Sequence, residues 1–380
     1  MNWTALAKNL ASILVETGDL ASPHWKAAFE ETPRHVFVPA YFQSQGGTPT
    51  VWKRVDSADG EDWYNPIYTN TTLVTRLDQQ SGEASERQTS GVPTSSSTQP
   101  SLTARMLEIL DIQEDDEVLD AGTGSGYQAA LIAHRQKGAQ RLVTADIDPE
   151  LTEAAQASLK TLGYEPDVLT VDVSAWRWQK QFHKVIVTCS LPRITATLQA
   201  AVAPGGRLVA NVFPPLSSAL AVLDAHSDGR LEGRFHVDGG SFMPARGLTA
   251  DPRPSSGELP DESEGATDLP ITAFDSYHFN FLLAAQLPGV QLQYGTDDNG
   301  QAMRRLVMPD GTWAAGYFPA DEPSLFRESG ARGIWETVVS RWAWFVENGH
   351  PTWDRFGLTV TPEGEHRIWF ETPEGPSWVV

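Results

Sequence analysis

Chemistry concentrates in the stretch Glu117-Val118-Leu119-Asp120-Ala121-Gly122-Thr123-Gly124-Ser125-Gly126-Tyr127-Gln128, where an apolar strand stops at an acid and passes through three alternating glycines into a helix. Glycine is needed where backbone turns with positive φ or meets a ligand with no Cβ in the way. Such a turn leaves a crevice at the carboxyl end of the strand. The spacing is Gly-x-Gly-x-Gly with Asp120 two residues ahead, not the Gly-x-Gly-x-x-Gly that seats a pyrophosphate, and it favours S-adenosylmethionine. Arg141-Leu142-Val143-Thr144-Ala145 then reads as a second strand ending in Asp146, placed where a carboxylate can take both hydroxyls of a ribose. A third strand, Val168 to Val171, ends in Asp172, either an acceptor for an adenine amino group or ordinary strand punctuation.

A second group of candidates is the hydroxyl cluster Ser96, Ser97 and Thr98 within Pro93-Thr94-Ser95-Ser96-Ser97-Thr98-Gln99-Pro100, directly ahead of a helix carrying Leu102, Met106, Leu107 and Leu110. By composition this is solvated linker and N-cap chemistry. It closes a segment, 43–98, rich in Gly, Ser, Thr, Asp and Gln, of which Gln79 to Thr98 reads as a mobile loop. His35 lies in an extended piece bracketed by Pro33 and Pro39. It has the chemistry of a base, but the sequence places no acid beside it, and a structural histidine is the simpler reading. Cys189 is the only cysteine, which excludes an internal disulfide and a cysteine metal cluster and suits a reducing cytoplasm; it sits mid-strand as a core residue.

The elements that position these residues alternate. Strand and helix units follow the glycine turn through Lys184–Cys189, Leu198–Val202 and Arg207–Val212, the pattern of an α/β, doubly wound, Rossmann-like parallel sheet. Ahead of it, Leu6, Leu10, Ile13 and Leu14 have helical spacing, and Ser22-Pro23 offers an N-cap and first-turn proline for a second helix. The two together make a helical lid. After strands around His226-Ser227-Asp228-Gly229, residues 248–272 read as a Pro/Ser/acid linker between a domain at 1–247 and a C-terminal α+β extension at 273–380. That extension holds seven of the thirteen tryptophans, which either fill a small core or shape a substrate site.

Composition narrows the partners. A formal charge of −21 over 380 residues repels polyanions, so nucleic acid and anionic membrane are not expected, whereas a neutral or basic peptide is compatible. No apolar run approaches a membrane span, and Met1 to Leu20 has no apolar signal core. A soluble, cytoplasmic, metal-free monomer is expected.

Thr32-Pro33-Arg34-His35-Val36-Phe37-Val38-Pro39, Ser97-Thr98-Gln99-Pro100, Val118 to Gln128 and Ala203-Pro204-Gly205-Gly206-Arg207-Leu208, in this order, resemble the protein-L-isoaspartate O-methyltransferases over about Ala21 to Gly247. The resemblance implies a class I S-adenosylmethionine-dependent sheet. It assigns the cofactor, which leaves as S-adenosyl-L-homocysteine, to Asp120, Gly122, Thr123, Gly124, Ser125, Gly126, Gln128, Asp146, Ile147, Asp172 and Val173. The family's active-site serine falls at Thr98, with Ser97 and Ser96 beside it, and Val173 stands where a glycine is usual. The hydroxyl stretch and the extension through Trp335-Glu336-Thr337-Val338-Val339 and Arg355-Phe356-Gly357-Leu358-Thr359-Val360 resemble the subgroup encoded with ribosomally made, modified peptides. That likeness implies methylation of one L-aspartate in a macrocyclic lanthipeptide or graspetide precursor, giving an aspartimide or, after hydrolysis, isoaspartate. General repair of isoaspartyl proteins and a catalytically silent cofactor-binding module are the competing expectations.

Overall fold

The computed structural model describes residues 2–79, 88–213, 216, 219–246, 262–320, 322–330 and 333–380. It divides into two compact units, Met1–Cys189 with Ala200–Val209, and Ser190–Gln199 with Ala210–Val380.

The first unit opens with α1 (Trp3–Glu16), which buries Ala7, Leu10, Ala11 and Leu14 at helical spacing and is capped by the Asn2 side chain. In α2 (Pro23–Glu31) the proline takes the first turn as expected, but the Ser22 hydroxyl caps nothing. Instead the Ala21 and Ser22 N–H groups donate to Glu108. The piece between Pro33 and Pro39 is not extended: α3 (Arg34–Phe37) is one helical turn, because the buried Arg34 side chain is fixed by tertiary hydrogen bonds that outweigh local preference.

Next come β1 (Ala40–Ser44), β2 (Val51–Asp56), α4 (Glu61–Ile67), β3 (Leu73–Gln79) and β4 (Gln88–Ser97). The four strands close into a barrel in the order β1-β2-β4-β3. This corrects the expected loop at 79–98, of which residues 80–87 lie outside the described residues: from Gln88 onward it is strand, paired with both β2 and β3. Composition misled because Val38, Tyr41, Val55, Tyr64, Ile67, Tyr68 and Leu73 supply the apolar core, leaving β4 free to be built of small hydroxyl residues.

The sheet follows: α5 (Pro100–Leu110), β5 (Val118–Ala121), α6 (Tyr127–Arg135), β6 (Leu142–Asp146), α7 (Pro149–Thr161), β7 (Asp167–Thr170), β8 (Phe182–Leu191), α8 (Ala196–Ala201) and β9 (Val202–Val212). β7, β6, β5 and β8 run parallel in that order. Every residue of β5 is buried, as a strand covered on both faces must be. The chain winds outward from β5 to β7 and then returns to β5's other side, so the switch point lies between β5 and β8.

The second unit contains β10 (Leu220–Ala225), β11 (Leu231–Phe235), β12 (Glu262–Ala266), α9 (Tyr277–Gln286), β13 (Gln291–Thr296), β14 (Ala302–Val307), β15 (Trp313–Phe318), β16 (Leu325–Ser329), α10 (Ile334–Glu347), β17 (Phe356–Val360), β18 (His366–Phe370) and β19 (Ser377–Val379). The expected boundary at 247 is displaced. β11 pairs with β17 from Leu231↔Val360 to Arg234↔Gly357, which ties residues before 247 to the C-terminal part. Of the expected linker, residues 248–261 lie outside the described residues, and Glu262–Ala266 is a strand paired with β16. Trp335, Trp342 and Trp344 share α10 as anticipated. Trp335, Trp353 and Trp369 are buried, so this part of the tryptophan set fills core. No helix among the described residues is long and apolar enough to cross a membrane.

Candidate active site

The glycine turn leaves β5 and enters α6. Gly122, Gly124 and Gly126 all have positive φ. For Gly122 and Gly126 there is also no room: a Cβ on Gly122 would stand 2.5 Å from Thr188 Oγ1, and one on Gly126 would stand 2.8 Å from the Ala155 Cβ of α7. Thr188, on β8 across the switch point, donates to the Gly122 carbonyl at 2.9 Å. The Gly122 and Thr123 N–H groups both donate to Ala145 O, tying the turn to β6.

Asp120 was expected to touch cofactor; it is wholly buried instead. One oxygen accepts from Gln128 Nε2 at 2.7 Å and the other from Thr144 Oγ1 at 2.9 Å, while the Thr144 and Thr123 hydroxyls are 2.7 Å apart. Burial pushes the Asp120 carboxyl up to about 6, against the opposing pull of the two hydrogen bonds. Asp120, Thr123 and Gln128 therefore form an interior brace that shapes the turn, and Thr144, which the sequence did not single out, completes it.

Asp146 ends β6 as expected. Its Oδ2 accepts from Gly124 N–H at 3.0 Å and its Oδ1 from Asp148 N–H at 3.1 Å. A carboxylate at this position, with about four lone-pair sites, suits a vicinal diol. The neighbouring Ile147 exposes 39% of its surface, an apolar face beside that carboxylate. Asp172 follows β7 and caps the next turn, its Oδ1 accepting from Ser174 N–H and from Ser174 Oγ. This is the punctuation role, with Oδ2 left for a ligand. Val173 is buried, and Ser125 Oγ accepts from Tyr127 N–H at 3.4 Å.

The hydroxyl strand lies over this turn. A Cβ on Gly124 would stand 3.6 Å from Ser96 O and 3.8 Å from Ser95 Oγ, ordinary contact distances. Ser97 is buried, whereas Ser96 and Thr98 are half-buried. The Thr98 hydroxyl makes no hydrogen bond among the described residues; its carbonyl accepts from Arg34.

Arg34 is the site residue that sequence reasoning missed. Fully buried, it donates from Nε and Nη2 to Ser97 Oγ, from Nη1 to the Ile67 and Thr69 carbonyls, and from Nη2 to the carbonyls of Thr71, Ser97 and Thr98. Among the described residues no carboxylate pairs with it, and burial pushes its pKa down to about 10. The signal was present in Pro33-Arg34-His35, but attention went to the neighbour. His35 Nδ1 meets Tyr68 OH at 2.6 Å within a box of Trp3, Tyr64 and Tyr68, and burial holds its pKa below the usual range, which makes it a neutral structural histidine.

A doubly wound sheet whose first two strands end in acids around a Gly-x-Gly-x-Gly turn is the fold of the class I S-adenosylmethionine-dependent methyltransferases. Residues 79–247 match the family model described as Protein-L-isoaspartate(D-aspartate) O-methyltransferase (PCMT). Protein-L-isoaspartate O-methyltransferase of Methanopyrus kandleri is 31% identical over 160 residues, 41% of this chain and 70% of that protein. The one from Aeropyrum pernix is 33% identical over 142 residues, 37% of this chain, and the match spans only 55% of that protein's length. A solved structure of a protein-L-isoaspartate O-methyltransferase shares the fold with TM-score 0.55 at 19% identity, over 96% of this chain and all of that one. The chain belongs to the protein-L-isoaspartate(D-aspartate) O-methyltransferase family.

Proposed function

We propose that the protein is an S-adenosylmethionine-dependent O-methyltransferase acting on an aspartyl or isoaspartyl carboxylate in a peptide or protein. The observation that supports this is the approach of β4 to Gly124, where the Ser96 carbonyl and the Ser95 hydroxyl come within 3.6 and 3.8 Å of the position a Cβ would take, at a turn bounded by Asp146. The residues present fit the cofactor: the Asp146 carboxylate at the end of β6 suits a ribose diol, Ile147 offers an apolar face to adenine, and Asp172 Oδ2 suits its amino group. When bound, S-adenosylmethionine supplies an electrophilic methyl group.

The chain's own part is positioning. A carboxylate is ionised at pH 7 and needs no base, consistent with a neutral, structurally engaged His35. Thr98, whose hydroxyl is uncommitted, donates to one carboxylate oxygen, and Arg34 fixes the strand end that carries it. Alignment of this kind lowers barriers by roughly 7–11 kcal/mol.

For the finer substrate we infer one L-aspartate in a macrocyclised ribosomal peptide, converted through its methyl ester to an aspartimide. The hydroxyl stretch and the likeness of the C-terminal sequence support this. Repair of isoaspartyl proteins is the second reading, favoured by the family match; a solved protein-L-isoaspartate O-methyltransferase is alike in fold over 96% of this chain, so an extension of this size does not by itself argue against repair. Mass spectrometry on cyclised precursor, its linear form and an isoaspartyl peptide separates the two. Loss of water from the cyclised peptide alone supports the first, methylation of the isoaspartyl peptide alone supports repair, and no methylation of any peptide overturns both.

A further inference from the structure

Within the first unit, β4 is held from two directions. Arg34 fastens its end to the 67–71 segment, and a second arginine, Arg76 on β3, reaches the other way. β3 and β4 pair as Val74↔Ser96 and again as Leu77↔Pro93, but between these pairs Arg76 faces Ser95, with Thr75 left over on β3 and Thr94 on β4. The two irregularities cancel, so the distortion is confined to Arg76. A bulge of this kind re-aims the side chain it carries. Here the guanidinium is aimed at the start of α7: Nη1 donates to Asp148 Oδ1 at 3.1 Å, and Nη2 stands 2.9 Å from Glu150 Oε2. The Glu150 side chain is 75% exposed, so water screens that arm. The Asp148 side chain is only 8% exposed, and a carboxylate so buried depends on its cation. Asp148 N–H in turn donates to Asp146 Oδ1, while Gly124 N–H donates to Asp146 Oδ2. The contacts close a ring from Gly124 through Asp146, Asp148 and Arg76 to Ser95, whose hydroxyl lies 3.8 Å from where a Gly124 Cβ would stand. Thr75 Oγ1 adds a bond to Ser95 Oγ at 3.2 Å.

Building on the carboxyl-methyltransferase reading, we propose that Arg76 is a positioning residue that couples the cofactor crevice to the hydroxyl strand. With a ribose on Asp146 the 146–148 loop is fixed, the loop fixes Arg76 through Asp148, and Arg76 sets β4 against the glycine turn. The edge that receives the carboxylate is then complete only when the cofactor is in place. Coupling of this kind is reciprocal, so losing Arg76 weakens cofactor binding in the same proportion. Arg34 cannot substitute, because its partners lie in the 67–71 segment and at the end of β4, not in the acid loop.

The test uses the full chain with S-adenosyl-L-homocysteine as the probe. Hydrogen exchange of the Ser95, Ser96 and Ser97 amides is measured with and without it. In wild type the probe should slow their exchange about tenfold; in Arg76→Gln it should slow it by less than about twofold and bind about tenfold more weakly by calorimetry. Arg76→Lys should keep part of the effect, since one ammonium reaches Asp148 without the second arm. Arg34→Met, which loosens β4 without touching the acid loop, should exchange faster yet still be slowed about tenfold by the probe. That contrast separates coupling from stiffness. Exchange slowed equally in Arg76→Gln and wild type overturns the coupling and leaves the methyltransferase reading intact. So does a wild-type strand whose exchange ignores the bound probe, a result that needs no variant to fold. Coupling as expected, with no methyl transfer to any peptide, upholds the role of Arg76 and overturns that reading.

Discussion

Replacing Arg34 by Met should loosen the hydroxyl strand and slow methyl transfer together. The guanidinium serves six acceptor atoms; those of Ile67, Ser97 O and Ser97 Oγ are buried, and those of Thr69, Thr71 and Thr98 are part-buried and can turn to water. Each buried acceptor left alone costs about 1–3 kcal/mol, roughly 6 kcal/mol for the set. Against this, a pKa pushed down to about 10 from 12.5 means that the buried charge itself carries a penalty of about 3 kcal/mol, which methionine removes. The orphaned carbonyls win by about 3 kcal/mol, about two orders of magnitude in local opening. Hydrogen exchange of the Ser95–Ser97 amides should accelerate by that factor while amides of the second unit stay unchanged, and kcat should fall more than cofactor affinity. Lysine, with three donors and no fork, should recover only part. If Arg34→Met exchanges and turns over like wild type, the buried cation is dispensable and its role as organiser of the site is wrong.

Asp120→Asn tests the buried acid: its folded pKa of about 6 lies above the ordinary 3.8, so its stabilising effect is full below 3.8 and is lost as pH rises through 6. Relative to wild type, the variant should gain about 3 kcal/mol between pH 3.5 and 7 in urea unfolding, and a pH-independent difference would refute the assignment. Asp146→Ala should weaken S-adenosylmethionine binding by about 1.5–3 kcal/mol by calorimetry, and unchanged affinity removes it from the cofactor set. Thr98→Ala should lower kcat with cofactor affinity intact and Thr98→Ser should restore it; a wild-type rate in Thr98→Ala would transfer the role to Ser96 or to no hydroxyl. Truncation after Gly247 should yield aggregate rather than a methyltransferase domain, because β11 would lose its pairing with β17 and expose an edge; a soluble, cooperatively folding fragment would contradict this.

The doubly wound sheet was legible because its signals are local. The β5 and β6 strands are nearly continuous apolar runs, each ends in an acid, and the glycines sit where positive φ is unavoidable. The barrel was illegible for the opposite reason. A strand such as β4 carries no apolar alternation of its own: its buried positions Ser95 and Ser97 are small hydroxyl residues, and the apolar cluster beside them comes from other segments. The boundary at 247 failed similarly: composition marks where a chain is polar, while a unit's limits follow pairings such as Leu231↔Val360, which span more than a hundred residues.

Within the site, residue type predicted location better than role. An acid at the end of a strand beside a glycine turn suggested ligand contact for both Asp120 and Asp146, yet the side chains differ in what surrounds them. Asp120 points into a core containing Gln128 and Thr144, so its charge is spent on shaping the turn, whereas Asp146 stands at the rim with backbone N–H groups on both oxygens and solvent beyond. Asp120 pairs in register with Thr144, inside the ladder, whereas Asp146 lies two residues further along β6, at its end. Arg34 follows the same logic in reverse. A lone arginine reads as surface, because its partners are carbonyl oxygens that have no signature in a sequence; here they come from the 67–71 segment and from the end of β4. Their convergence on one planar guanidinium is what makes a stretch of serines next to a proline into a fixed edge beside the glycine turn.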